Sequence, residues 1–416
     1  MSDTPQVVPV RATALVSSSS GQTCVVLHRS DQIFDLIRFN QQNAVSWRAL
    51  PTEDLRGLPW SCVENESEVW MDRGVVEAHT VAILDSLDPD EDGQRILRPR
   101  GIRHTGTIDC AFDLPNMEDQ DDDLDRIHTS ISTFTKRRLL ARLDETLEIP
   151  PLPAAAQRIL ALKANPDYSL QELVKVIETD PSIAARVMSW ANSAFYAANP
   201  PPRSLGDAIM RVLGTDLVMN LALGLALAGS LRLPDHEVRG VPPFWTEAVY
   251  TATAVEALAR RGDTATRSIA GFAYLTGLLG NYGTLVLGHV FPPQYAHICL
   301  LQEANPGVPA CMIDTHVLQV PREVLASSLF ELWGLPEEIT VAVREQHNPD
   351  YEGSFDRVVR LLQAARALLG YGAIADVSME KVALATIGLR SDDLDQVGAL
   401  LLDSRDALDG LARAVA

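Results

Sequence analysis

Asp180-Pro181-Ser182-Ile183-Ala184-Ala185-Arg186-Val187-Met188-Ser189-Trp190-Ala191-Asn192-Ser193 reads as one complete helical segment. Asp180 can cap it, because a carboxylate accepts from amides that have no partner in the first turn, and Pro181 suits a first position that needs no amide hydrogen. Ile183, Val187, Trp190, Ala191 and the following Ala194 then recur on one side and form an apolar face.

The same signals repeat outward. Leu170–Glu178 reads as a helix with Ser169 as its cap, and Ala154–Leu162 as another, set off by Pro150-Pro151-Leu152-Pro153, where fixed φ and missing amide hydrogens stop a helix. Downstream, Ser204-Leu205-Gly206-Asp207 is close to a capping box, and Ile209, Val212 and Leu213 lead through Gly214 to the most apolar window, 217–231. At about 15 residues and holding Asn220, that window falls short of the roughly 20 residues that span a bilayer and reads as a buried helix, its Gly224 and alanines permitting close packing. Phe355–Leu369, Val377–Gly388 and Leu394–Ala412 add amphipathic helix that extends the bundle or covers one end, with Asp392–Asp395 and Asp403–Asp406 facing water.

Before residue 117 the pattern changes to short β-rich runs broken by turns: Ala12–Val16, Thr23–His28, Glu68–Met71, Val75–Leu84 and Gly106–Phe112, with Asp31–Phe39 helical. A mixed sheet with few helices fits. Glu118-Asp119-Gln120-Asp121-Asp122-Asp123-Leu124-Asp125 repels itself and reads as a solvated linker, without the Gly or spaced carboxylates of a calcium loop. After it, Ile131, Phe134, Leu139, Leu143 and Leu147 fall near one side of a connecting helix whose Lys136, Arg137, Arg138 and Arg142 read as a solvated face.

A chain of 416 residues implies two to three domains, and 46% hydrophobic with 22% charged residues is an ordinary globular balance. The formal charge of −20 argues against general affinity for nucleic acid or anionic membrane, both of which depend on basic patches. Met1–Asp125 holds 10 basic and 23 acidic residues and the remainder 25 and 32, so the two parts differ in character. Five cysteines without a C-x-x-C pair suggest neither a disulfide framework nor a thiolate zinc site, and point to a reducing compartment. The N-terminus lacks a basic patch followed by an apolar run, so no secretory signal is expected.

Pro151-Leu152-Pro153, Asp180-Pro181 with Ala191-Asn192-Ser193, Ala208-Ile209 with Leu213-Gly214, Phe244-Trp245, Gly277-Leu278-Leu279 and Trp333-Gly334-Leu335-Pro336 come in the order of the HDOD family, output domains related to HD metal phosphohydrolases. Over about 200 residues the chain strongly resembles that family; its fold, a large all-α bundle, follows from the resemblance as an expectation. The leader loosely resembles the YbaK-type aminoacyl-tRNA deacylases through Thr23–His28 with Phe34-Asp35-Leu36, and Glu68-Val69-Trp70-Met71-Asp72. That pairing also resembles an architecture known among bacterial HDOD proteins. The expected organisation is multidomain: a YbaK-like α+β mixed-sheet domain over 1–117, an acidic linker and connecting helix over 118–146, an HDOD helical domain over 147–350 and a C-terminal helical extension over 351–416.

A metal phosphohydrolase needs His and Asp ligands converging from several helices. The resemblance implies a His after Phe244-Trp245, where this chain has Glu247, and a His-Asp doublet at Gly280-Asn281. Glycine has no ligating side chain and Asn is a poor, neutral substitute for a carboxylate. Pro321-Arg322 stands where a further His is implied, and Arg366 puts a positive charge where a last Asp would close the set. His347 alone remains, and reads as a hydrogen-bonded histidine at a helix end. His289 and His297 could be a pair but lack an acidic partner at ligand spacing, and His316 lies near Asp314; all three read as structural. Asp180, Pro181, Asn192, Trp245 and Trp333 are expected to serve the fold. No Lys precedes Lys136, so the deacylase reaction lacks the lysine that the YbaK resemblance implies. There is no G-x-S-x-G elbow, Walker loop or G-x-G-x-x-G motif after a strand.

These readings lead to an expectation of a non-catalytic cytoplasmic bacterial signalling protein, needing no cofactor and working through contacts with signalling proteins. One alternative is a sensor in which the pocket around Glu247, Gly280, Asn281, His347 and Arg366 takes a nucleotide or other anion. Another is an enzyme, a phosphohydrolase with relocated ligands or a deacylase in the leader.

Overall fold

The computed structural model describes residues 7–44, 46–50, 68–78, 80–83, 95–97, 106–115, 151–165, 167–196, 198–306, 308–370 and 384–415. The acidic run, the connecting helix and most of Val377–Gly388 lie outside the described residues.

The leader is built on β1 (Val7–Ser17) and β2 (Thr23–Arg29), paired antiparallel from Val10–Arg29 to Val16–Thr23. On the far edge of β1, its first half pairs in parallel with β6 (Thr80–Ile83) and its last residues antiparallel with β4 (Trp47–Ala49). Strands β5 (Glu68–Asp72) and β8 (Gly106–Ile108) continue in parallel beyond β2, and β7 (Arg95–Leu97) closes the other side. Among the described residues the result is a seven-stranded mixed sheet in the order β7-β6-β1-β2-β5-β8, with β4 also on β1.

β2 is covered on both faces, as its near-continuous apolar run requires. Val25 and Leu27 pack with Val10, Val69, Met71 and Val75, whereas Cys24 and Val26 pack with Leu15, Phe34, Leu36, Phe39 and Ala304.

Three expectations for the leader are corrected. Asp31–Phe39 is not one helix: Gln32–Phe34 form β3, which pairs with β9 (Ala111–Asp113), and helix α1 (Leu36–Asn43) starts only after Asp35, whose carboxylate accepts from Arg38 N. Val75–Leu84 is not one strand, because Asp72 accepts from Gly74 N and starts the short helix α2 (Arg73–Glu77) before β6. Gly106–Phe112 likewise divides between β8 and β9, in different sheets.

From Pro153 the described chain is helical apart from loops and turns: α3 (Ala154–Lys163), α4 (Leu170–Glu178), α5 (Pro181–Ala191), α6 (Leu205–Ala208) running into a π turn at Ile209–Leu213, and α7 (Thr215–Ala228). Then come α8 (Phe244–Arg261), α9 (Thr264–Ser268), α10 (Ala270–Leu279), α11 (Tyr282–Val290), α12 (Pro292–Ala304) and α13 (Ala310–Leu318). α14 (Arg322–Leu332), α15 (Glu337–Glu345), α16 (Asp356–Leu369), α17 (Ser391–Asp403) and α18 (Arg405–Val415) complete the bundle. The expected Leu394–Ala412 helix breaks at Ser404. Asp180 accepts from the amides of Ser182 and Ile183, Ser169 from Glu172 N and Ser204 from Asp207 N, so all three serve as caps. Asn192 ends α5, its Nδ2 donating to Met188 O.

Helices α7, α8 and α10 form the centre. α7 is apolar around its whole circumference from Val218 to Ala228, and the one polar side chain there, Asn220, accepts from Lys163 Nζ at 2.8 Å. Among the described residues no single helix is long and apolar enough to cross a membrane. Gly277 lets α10 touch α8 backbone to backbone: a Cβ there would lie 2.5 Å from Ala252 Cα. Gly283 does the same for α11 and α14, where a Cβ would meet Arg322 O at 2.5 Å. The tail packs on α8 through Leu408, Leu411 and Val415, and Tyr250 on α8 donates to Asp409 Oδ1 at 2.8 Å.

The leader is joined to the bundle by specific bonds. Asn305, just after α12, accepts from Phe34 N at Oδ1 (2.7 Å) and donates from Nδ2 to Phe34 O (2.9 Å), extending β3 by a side chain. Thr13 Oγ1 donates to Ala304 O at 2.8 Å, and Arg239 donates to Ala49 O at 3.0 Å. Ile33 belongs to the bundle's core, and Ala304 to the leader's.

Candidate functional site

A cavity of about 510 Å³ opens where α8, the start of α11, the start of α14 and the end of α16 meet the loop 233–243, with Ala49 and Leu50 of the leader on its edge. Glu247, Gly280, Asn281 and Arg366, far apart in sequence, all line it. Pro321 is at the N-cap of α14, where a residue without an amide hydrogen costs nothing; its successors Arg322 and Glu323 line the cavity. His347 stands behind this wall, its Nε2 3.0 Å from Glu323 Oε1. Trp245 is buried and stacks edge-on with Phe244, and Trp333 ends α14 against Tyr282.

Sequence reasoning passed over the group that dominates the wall. Arg322 is buried and forks onto Asp314, with Nε to Oδ2 at 2.6 Å and Nη2 to Oδ1 at 2.8 Å, while Nη1 donates to Thr284 Oγ1 at 3.2 Å. Burial works against the guanidinium charge, but Asp314 more than offsets it and the Arg322 pKa is raised. Burial alone would raise the Glu323 carboxyl; the His347 charge and hydrogen bond, with Arg322, hold it down at about 2. A signal was available: an Arg-Glu doublet opening a helix whose next residues are Val324, Leu325 and Ala326, eight residues after an Asp that follows Met312 and Ile313 in another helix. His316 does not share that Asp; it packs against Phe112 of the leader. His289 does not pair with His297 but accepts from Arg232 N at 3.1 Å.

Two further arginines of the wall are also paired. Arg366 Nη1 is 3.2 Å from Glu247 Oε1, and Arg239 Nε is 2.9 Å from Glu303 Oε2. Gln346 donates to Gly280 O at 2.9 Å, and Asn281 Nδ2 donates to Phe244 O at 3.0 Å, fixing which way that amide faces.

The divalent ion of HD-type sites does not fit these residues. Gly280 offers no side chain, Asn281 offers a neutral oxygen, and the carboxylates of Glu247 and Asp314 are held by Arg366 and Arg322, so the wall lacks the set of free anionic ligands that a divalent ion needs. Among the described residues no three His, Cys, Asp or Glu side chains are arranged to hold a metal ion.

The chain is thus a mixed-sheet leader on an all-α bundle. The HDOD domain family matches residues 149–349. A crystal structure from Marinobacter aquaeolei VT8, provisionally named a signal transduction protein, is 33% identical, with 100% of this chain and 95% of that one covered and a TM-score of 0.84. The chain belongs to the HDOD family. Two further structures share the fold of the bundle: a protein provisionally named a phosphohydrolase from Shewanella amazonensis SB2B (21% identity, 67% of this chain, 98% of that one, TM-score 0.53), and an HDOD domain protein of unknown function from Geobacter sulfurreducens (18%, 65%, 94%, 0.52). An uncharacterised protein of Treponema pallidum (strain Nichols) is 26% identical over 218 residues, which is 52% of this chain and 41% of that protein's own length.

Proposed function

We propose that this chain is a non-catalytic signalling or regulatory protein of the bacterial cytoplasm, whose HDOD domain works through contacts with signalling proteins. The observation that carries the reading is the charge pairing in the wall of the cavity. Arg322 with Asp314, Arg366 with Glu247 and His347 with Glu323 pair their charges with one another, so the charge of each acid that could serve a metal or a proton transfer is opposed by a protein group, Glu323 through its Oε1 alone. The name carried by the Marinobacter protein, similar over the full length, supports signalling. The likeness to the Shewanella protein extends to the fold alone and lends no support to hydrolysis.

The leader is proposed as a YbaK-like accessory domain that lacks editing chemistry, since no lysine precedes Lys136. Its bonds to Asn305 and Arg239 would let a partner held on the bundle be felt by the sheet. Elemental analysis of purified full-length protein, with assays on a generic phosphodiester and a mischarged tRNA, tests the reading. Substoichiometric metal and no turnover are expected, with capture of a signalling protein from the native host. Two divalent ions per chain with metal-dependent turnover would overturn it.

A further inference from the structure

The cavity wall is asymmetric in its hydrogen bonding. Each of its three guanidinium groups is engaged by protein oxygens: Arg239 by Glu303 and Ala49 O, Arg322 by Asp314 and Thr284, and Arg366 by Glu247. Two acceptors are not matched. Asn281 Oδ1 and Glu323 Oε2 are both buried, and neither has a hydrogen-bond partner on another described residue. They belong to side chains that are 7% and 6% exposed, at the starts of α11 and α14, and both residues line the cavity. Orientation of the amide is settled by the bond from Asn281 Nδ2 to Phe244 O; reversal would set two oxygens against each other. Leaving two buried acceptors unmatched forfeits the hydrogen bonds they made to water in the unfolded chain, a loss that a donor from a ligand would recover.

We infer that the cavity binds a small organic cation, a compound carrying an amine or guanidine head whose N–H groups are received by Asn281 Oδ1 and Glu323 Oε2. An anion would find its natural partners already occupied and would face the free Oε2 of Glu323. The volume of about 510 Å³ lies in the range of small-molecule sites. Glu237, exposed on the rim, and the net charge of −20 favour the approach of a cation. This reverses the expectation of an anion held by Arg366, whose charge is spent on Glu247. It rests on the metal-free reading of the cavity, because a bound divalent ion would reverse the preference toward anions.

The test uses the full chain with agmatine, which carries an amine and a guanidine, and inorganic phosphate as the opposing probe. Titration calorimetry and hydrogen exchange are run with and without EDTA. The expected result is saturable agmatine binding, unaffected by EDTA, that protects peptides spanning 280–284 and 321–324. E323Q is expected to weaken it at least tenfold, and L233W, at the exposed mouth of the cavity, is expected to weaken it without touching either acceptor. The exchange pattern on the wild-type protein decides the matter even where a variant fails to fold. Phosphate binding that survives EDTA, agmatine protection elsewhere on the surface, or no agmatine binding at 10 mM (on the scale of a millimolar Kd) would overturn the inference. Phosphate binding abolished by EDTA would instead refute the metal-free reading on which it rests.

Discussion

Replacing Arg322 with Met keeps the length and most of the bulk of the side chain but removes every donor it offers. Asp314, 0% exposed, would then be a buried carboxylate without a counter-charge, and Thr284 would lose its partner. Breaking a buried pair from one side costs about 3–5 kcal/mol, because the remaining ion keeps its desolvation cost. For a domain of this size 1 kcal/mol moves the midpoint by about 2–4 °C, so R322M should melt about 10 °C below wild type when helix content is followed by circular dichroism. D314N/R322M should recover at least about 2 kcal/mol of that loss, since the buried charge is gone and the Asn carbonyl oxygen can still accept from the residue 322 amide, which lies 3.3 Å from Asp314 Oδ2. In R322M the folded carboxyl pKa is raised above its unfolded value, so the destabilisation is complete above the folded pKa and shrinks as pH falls toward the unfolded value, about 3.9. A single variant within about 1 kcal/mol of wild type, or a double variant no better than R322M, would refute the claim that this pair is a mutually dependent part of the wall.

Three further outcomes follow from the same structure. Glu323 has a folded pKa of about 2, below its unfolded value, so its contribution is fully present above about pH 4.5 and is lost as pH falls toward 2. Thermal melts from pH 6 to 3 should show wild type losing on the order of 2 kcal/mol more than E323Q, and parallel curves would contradict the depressed pKa. G277A sets a helix-propensity gain of about 1 kcal/mol against an overpacking cost of about 1–3 kcal/mol or more; with a Cβ 2.5 Å from backbone that cannot yield, the clash should win, and a raised midpoint would show that α8 and α10 can separate. N305A removes both bonds to the Phe34 backbone and should cost about 2–4 kcal/mol of docking between leader and bundle. Faster amide exchange at residues 32–34 would report it, and unchanged exchange there would mean that the sheet holds its place without Asn305.

The legible parts of this chain were those where one local rule decides the outcome. Asp180-Pro181 fixed a helix start because cap and proline agree, and the apolar run after Gly214 had to be a buried helix because nothing in it could face water. Gly280, Asn281, Glu247 and Arg366 could be grouped before any coordinates because a family order placed them together, and the structure sets them around one cavity. What stayed hidden was pairing. The sequence marks Arg366 as a positive charge in place of an acid, but only the packing of α8 against α16 brings Glu247 within 3.2 Å and converts an apparent anion site into a matched ion pair. Pro321-Arg322 looked like the loss of a ligand, whereas Arg322 reaches across to Asp314 on α13 and becomes the fixed cation of the wall. The β3 strand was hidden for a similar reason: Gln32–Phe34 are read as part of a helix until Ala111–Asp113 and the side chain of Asn305, 271 residues away from Phe34, supply the partners that make it a strand. Charges and strand edges take their meaning from distant partners, so the pairing of the site's charges emerges only when α8, α11, α13, α14 and α16 are assembled around it.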